Sequence, residues 1–265
     1  MKLEFEDKAV VLTGGGRKDG IGWATIKELT SAGAKVLMGD IEIHPAYDEV
    51  VAGGSVHVEQ IDLAVAGNPE KLVANAVERF GKLDILVNNL GITEFRAGFL
   101  ETSDDDWDKM IRTNFLSAVR ASRAALPHLV KSRGVIVNLA SSLASTPVPS
   151  LVDYSAMKAA TLNLTKTLSE EFNPQGVRVV AISPGAVLTP HWTRPGGALE
   201  MFSKELGIDV ETLKNQKIPE MFGMTTGRMV SPQEIAAAVC FLASDRAGSV
   251  TGCALAVDGG TVKTL

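Results

Sequence analysis

Seven short apolar runs, each leading into a stretch of helical spacing or a turn, place the strongest constraint on how this chain folds. They read AVVLT (9–13), KVLMGD (35–40), SVHVEQIDL (55–63), LDILVNN (83–89), GVIVNLAS (134–141), RVVAIS (178–183) and ALAVDGG (254–260). Near-continuous Val, Ile and Leu suits strands covered on both faces, and strands separated by helices pair in parallel. At 265 residues and 45% hydrophobic content the chain fits one α/β domain over 1–265. The expected architecture is doubly wound, with about seven parallel strands flanked by helices.

The helices carry their own punctuation. Ile21 to Gly33 sets Ile21, Ala24, Leu29 and Ala32 on one side and stops at glycine. Ser231-Pro232-Gln233-Glu234 combines a capping serine, proline at the first helical position and glutamate three residues after the cap. It opens EIAAAVCFLAS, apolar nearly all round and so expected to be buried. The least regular stretch, 187–230, is rich in Pro, Gly and Met and lies between the sixth and seventh runs. That position makes it a candidate substrate-covering segment, because open parallel sheets place ligands beyond the carboxyl ends of their strands.

Composition removes several function classes. A net charge of −5 and a pI near 5.5, without a Lys/Arg cluster, argue against a nucleic-acid surface. Cys240 and Cys253 lack metal-ligand spacing, so both are expected as buried free thiols in a reducing compartment, and no metal is expected. The opening MKLEFEDKAVVLTGGG resembles neither a signal peptide nor a membrane span, so the expectation is a soluble cytoplasmic protein without membrane partners.

Two clusters carry chemistry. TGGGRKDGIG (13–22) joins the first strand to a helix, where unpaired N–H groups and the positive dipole end can receive a pyrophosphate. A tight structural turn is the alternative. Asp40 ends the second strand, where a carboxylate can accept hydrogen bonds from ribose hydroxyls, and Asp62 ends the third, placed to meet adenine. In the second cluster, Tyr154 and Lys158 stand at i and i+4, on one helical face. A nearby cation is expected to lower the tyrosine pKa and make it a proton donor and acceptor. Ser141, thirteen residues upstream of Tyr154, ends a buried strand and can hydrogen-bond a substrate oxygen.

In order and spacing, these landmarks resemble the short-chain dehydrogenase/reductase family over essentially the whole chain. TGGGRKDGIG, Asp40, Asp62, NNLG (88–91), Asn114 in RTNFLS, Ser141, YSAMK (154–158), SPGAVLT (183–189) and AVDGG (256–260) carry the resemblance. It implies a Rossmann-like fold and a nicotinamide-dependent oxidoreductase acting on a small-molecule alcohol or carbonyl. Tyr154 would be the general acid/base, Lys158 would hold the nicotinamide ribose and tune the phenol, Ser141 would orient the substrate carbonyl and Asn114 would anchor a relay water. Gly14, Gly16, Gly20, Ile21, Gly22, Asp40, Asp62, Leu63, Asn88, Gly91, Tyr154, Lys158, Pro184, Gly185, Val187 and Thr189 would bind the cofactor. The resemblance also implies a homo-oligomer, a tetramer in the commonest case, with helices near 104–131 and 152–172 at the interfaces.

The chain departs from the family pattern at Leu90, where alanine is usual, at Ala144, where glycine is common, and in a glycine loop two residues longer than usual. Either Gly14 or Gly16 can serve as the loop's first glycine. Arg17 and Lys18 favour a 2′-phosphate and hence NADP, whereas Asp40 repels it; the fixed carboxylate outweighs solvated cations, so NAD is expected. His191 and Trp192 are the substrate-contact candidates within an apolar lid that also includes Met201, Phe202, Met221 and Phe222. A non-catalytic nucleotide-binding regulator on the same fold is the rival reading.

Overall fold

A computed structural model describes residues 4–264; residues 1–3 and 265 of the expected domain lie outside the described residues. All seven apolar runs become strands: β1 (Ala9–Thr13), β2 (Lys35–Asp40), β3 (Val56–Gln60), β4 (Ile85–Asn88), β5 (Val135–Leu139), β6 (Arg178–Pro184) and β7 (Ala254–Val257). They pair in parallel in the order β3-β2-β1-β4-β5-β6-β7. The order reverses between β1 and β4, which opens a crevice beyond their carboxyl ends.

The strands between β1 and β6 are apolar on both faces because both faces are covered. On one face Val10, Leu12, Val36, Met38, Val137 and Ile182 meet α1 (Ile21–Ser31) and α11 (Pro232–Ala243). On the other, Val11, Leu37, Leu86, Ile136 and Val179 meet α3 (Asn68–Phe80), α5 (Ser117–Ser132) and α6 (Val152–Phe172). The short α2 (Tyr47–Ala52) follows β2 and buries Tyr47 edge-on against Trp23. Ser231 and Glu234 form the expected capping box at the head of α11.

Two expectations change. The region 104–131 is not one continuous α-helix: α4 (Asp104–Ile111) passes through a wider π-turn at Arg112–Leu116 before α5. Of the two cysteines only Cys240 is buried; Cys253 is exposed, because it precedes β7, the edge strand of the sheet, whose residues 254–256 are exposed as well.

The segment 187–230 is more regular than its composition suggests. It carries α7 (Pro190–Thr193), α8 (Ala198–Leu206), α9 (Val210–Thr212), a π-turn at Leu213–Lys217 and α10 (Ile218–Met221). Val187 pairs with Val230, so the excursion leaves and rejoins the body at one point. Trp192, Leu199, Leu213 and Ile218 join the core beneath it. No helix among the described residues is long and apolar enough to cross a membrane.

Candidate active site

The crevice between β1 and β4 is pinned by Thr13. Its buried hydroxyl accepts the main-chain N–H groups of Asn89 and Leu90 at 3.2 and 3.3 Å, so the chain leaving β4 is tied to the end of β1. Asn89 returns the contact, its Nδ2 donating to the carbonyls of Thr13 and Gly14. Gly14 turns there with a φ of +69°, a left-handed conformation that favours glycine.

The two extra loop residues emerge on the helix side. Gly14 is the first glycine of the motif, packed against Leu90 and Gly22. The N–H groups of Gly15 and Gly16 donate to Asp40 Oδ2 at 2.8 and 2.9 Å, and the Tyr47 hydroxyl donates to the Gly15 carbonyl at 2.7 Å. Residues 17–19 form an exposed tip before Gly20, the N-cap of α1. Gly20 has no side chain to satisfy the helix's first N–H groups, which leaves them available to an anion.

A groove of about 1020 Å³ runs along this crevice. The glycine loop, Asp40 and Glu42 after β2, Asp62 and Leu63 after β3, and Asn89, Leu90 and Gly91 after β4 line it. Two acidic residues have structural contacts of their own: Asp40 holds the glycine loop, and Asp62 accepts the Ala64 N–H at 2.9 Å. Arg17, at the loop tip, lies 3.3 Å from Glu42.

A second cavity, of about 210 Å³, continues from the groove past Gly91 and Thr189. Ser141, at the end of β5, shares the cavity with the Tyr154 phenol and caps the next turn by accepting the Leu143 N–H at 3.1 Å. Lys158 lies one turn along α6 from Tyr154, its Nζ 5.5 Å from the phenol ring centre. Lys158 Nζ donates to the Leu139 carbonyl at 2.7 Å, which aims it from α6 across to the sheet. Asn114 sits in the π-turn, its Oδ1 accepting the Ile92 N–H at 3.0 Å. A side chain on Gly91 would meet both the Asn114 oxygen and the Lys158 ammonium, so these two groups meet behind that glycine.

The electrostatics correct one expectation. Burial pushes the Tyr154 phenol up to about 12, against the downward pull of the Ser141 hydrogen bond. The same burial lowers Lys158 to about 8. Desolvation of both charged forms therefore overrides the expected depression of the phenol, and Tyr154 holds its proton at neutral pH.

Beyond this cluster the cavity wall is aromatic and aliphatic. Phe95, Leu143, Leu151, Trp192 and Phe222 line it, with Thr93 and His191 as polar members. Trp192 packs edge-on to His191 and to Phe222, with ring centres 5.8 and 6.1 Å apart. Burial, with the charges of Arg194 and Arg17, lowers the His191 pKa and favours the neutral ring. Met201 and Met221, expected in the lid, are exposed, because they stand on the outer sides of α8 and α10.

A family profile described as enoyl-(acyl carrier protein) reductase matches residues 14–262. Meso-2,3-butanediol dehydrogenase of Serratia marcescens is 32% identical, with 97% of this chain and 96% of that protein covered. The chain is a short-chain dehydrogenase/reductase. The crystal structure of L-sorbose reductase from Gluconobacter frateurii, complexed with NADPH and L-sorbose, superposes with a TM-score of 0.91 at 30% identity over the full length of both chains. A 3-ketoacyl-(acyl-carrier-protein) reductase from Brucella melitensis, complexed with NADH, has a TM-score of 0.82 at 30% identity, covering 97% of this chain and 99% of that one.

In this short-chain dehydrogenase/reductase, the expected site residues converge on the two cavities with three exceptions. Gly16 faces Asp40 and the main chain of Glu42, while Gly15 lines the groove. Asn88 points into the sheet, its Nδ2 donating to Ser122 Oγ and Asn138 Oδ1 at 3.0 and 2.8 Å, while the neighbouring Asn89 lines the groove. Asn114 stands behind Gly91 and lines neither cavity. Sequence reasoning missed Glu42, Thr93, Phe95 and Leu151; only Glu42, two residues beyond the strand-ending Asp40, carries a local signal.

Gly22→Ala tests the cradle. Its new Cβ would stand 2.5 Å from the Gly14 carbonyl oxygen and 2.6 Å from Gly15 Cα. Fluorescence titration is expected to show NADH affinity reduced by about tenfold or more, equivalent to about 1.4 kcal/mol.

Proposed function

We propose that this chain is an NAD-preferring oxidoreductase that interconverts a compact secondary alcohol and its ketone, with Tyr154 as general acid/base. The observation that carries this reading is the Ser141–Tyr154–Lys158 cluster, with Ser141 and Lys158 buried and Tyr154 half-buried, set where a small apolar cavity meets a dinucleotide-sized groove. The groove suits a dinucleotide because the glycine cradle leaves helix N–H groups free for phosphate and Asp40 stands where a ribose would lie. When bound, the nicotinamide would supply or accept the hydride.

The chain's own residues handle orientation and the proton. Ser141 stands beside the phenol in the cavity and is placed to share a hydrogen bond with the substrate oxygen. Tyr154, protonated at neutral pH, gives its proton to that oxygen as the carbonyl is reduced, and takes one back in the reverse direction. Lys158 places a positive charge beside the phenol and favours the phenolate left behind. Asn114, next to the Lys158 ammonium behind Gly91, lies on the route by which a relay water would resupply the proton. The aromatic wall excludes water and favours hydrophobic or cyclic substrates, while His191 and Thr93 offer polar contacts.

Cofactor preference follows from this chain's charges, since its structural neighbours include both an NADPH and an NADH complex. Asp40 is fixed by two main-chain N–H groups, Glu42 adds a second carboxylate, and Arg17 is already paired with Glu42. A 2′-phosphate entering here would face two like charges. The exposed residues 254–256 of the β7 edge support the expected homo-oligomer, because edge strands are commonly covered by a partner. Sedimentation is expected to show a species larger than 28.0 kDa; a monomer at working concentration would contradict it.

In a screen of ketones and alcohols, NADH is expected to be used at least about tenfold more efficiently than NADPH, and Asp40→Asn to narrow that ratio. Tyr154→Phe is expected to lower kcat by about 10²- to 10⁴-fold while NADH still binds. A Tyr154→Phe enzyme at wild-type rate would refute the catalytic assignment, and NADH binding without turnover across the screen would favour the regulator reading.

The pH dependence follows from opposite shifts. Tyr154, raised to about 12, keeps its proton across the working range, whereas Lys158, lowered to about 8, loses its charge as pH rises through that value. For ketone reduction, kcat/KM is expected to be level below the Lys158 pKa and to fall by about tenfold per pH unit above it.

A further inference from the structure

Arg96 lies on the segment between β4 and α4, directly after Phe95 of the cavity wall, yet it lines neither cavity. Its main-chain N–H donates to the Ser150 carbonyl at 2.8 Å. Its guanidinium reaches the head of α6, where Nε donates to Asp153 Oδ2 at 2.9 Å and Nη2 stands 2.8 Å from the same oxygen. The Asp153 side chain is 0% exposed and that of Arg96 is 10% exposed. On its other side, Arg96 Nη1 donates to Asp106 Oδ1 at 2.8 Å. Asp106 in turn closes the capping box of α4 with Ser103.

The second oxygen of Asp153 has a separate task. Oδ1 accepts the main-chain N–H of Tyr154 at 2.8 Å. The N-cap of α6, Leu151, supplies no capping side chain, so this first-turn N–H depends on Asp153. Burying a carboxylate is costly unless it is paired and hydrogen-bonded, and the Arg96 guanidinium supplies that pairing. A continuous path of contacts therefore runs from the cavity wall at Phe95, through Arg96 and Asp153, to the backbone of the proton donor.

We propose that Arg96 is a positioning residue that sets Tyr154 against the substrate-binding wall by clamping Asp153 at the head of α6 to Asp106 at the head of α4. The inference rests on Tyr154 as the proton donor. It assigns Arg96 no contact with substrate or cofactor, so its removal misplaces the phenol and leaves the dinucleotide groove intact. Small misplacements at a reacting centre are sufficient: about 1 Å can cost about a hundredfold in rate.

The test compares Arg96→Met, Arg96→Lys, Asp153→Asn and the Arg96→Met/Asp153→Asn double variant, with Lys166→Met, an exposed residue of α6, as control. Ketone-reduction kinetics, NADH titration and thermal melting are measured on each. Arg96→Met is expected to lose about a hundredfold in kcat with unchanged NADH affinity, and Arg96→Lys to recover part of it. The double variant is expected to lose less than the product of the two single losses, because both break one link. Lys166→Met is expected at the wild-type rate.

Wild-type kcat in a folded Arg96→Met enzyme, a loss confined to KM, a parallel loss of NADH affinity, or losses that multiply in the double variant would each overturn the proposal. If Arg96→Met does not fold, Arg96→Lys and Asp153→Asn carry the same comparison. Failure of the underlying catalytic reading shows separately, as a Tyr154→Phe enzyme that keeps its rate.

Discussion

The site depends on the reversal of strand order between β1 and β4. Neighbouring crossovers diverge there, so no helix covers the carboxyl ends of the two strands and a crevice remains between them. Thr13 holds that crevice to a fixed width by tying the main chain after β4 to the end of β1. The glycine loop, the acidic strand ends and the Ser141–Tyr154–Lys158 cluster are all placed relative to this point.

Carboxylates recur as the groups that shape this end of the molecule. Asp40 holds the glycine loop, Asp62 the turn after β3, Asp153 the first turn of α6, and Asp258 the N–H groups of Gly260 and Val262. Loops beyond a sheet lose the ladder partners of their N–H groups, and a carboxylate offers strong acceptors in compact form. Asp40 and Asp62 also line the groove, so these two side chains both fix loops and face the crevice. Burial acts on the opposite side of the site, holding Tyr154 protonated and bringing Lys158 close to physiological titration.

Much of this was legible from local pattern. The strands announced themselves by apolar runs, the capping box by Ser231 and Glu234, and the Tyr154–Lys158 pair by helical spacing, because each depends on neighbours within one turn or one strand. The register of the glycine loop was not legible. It depends on the Asp40 carboxylate, the Tyr47 hydroxyl and the packing of Leu90 against it, and these lie 25 or more residues from Gly15. Asn88 and Asn89 could not be told apart by type; the first ends β4 with its side chain in the sheet, and the second follows the strand, tied to Thr13 and lining the groove. Arg96 carried no signal because, beside the neighbouring Glu94, the partners that tie it to the heads of α4 and α6, Asp106 and Asp153, are distant in sequence.

By itself, the sequence determined the parallel doubly wound sheet and the pairing of Tyr154 with Lys158 on one helical face, since apolar runs and helix spacing are set by local geometry and the removal of apolar side chains from water. Only the tertiary structure decided that burial overrides the lysine in setting the tyrosine's proton, that Gly14 makes the left-handed turn at the end of β1, and that an arginine ten residues from one aspartate and fifty-seven from the other joins them. Desolvation and long-range ion pairing belong to the folded environment, and no short stretch of residues contains them.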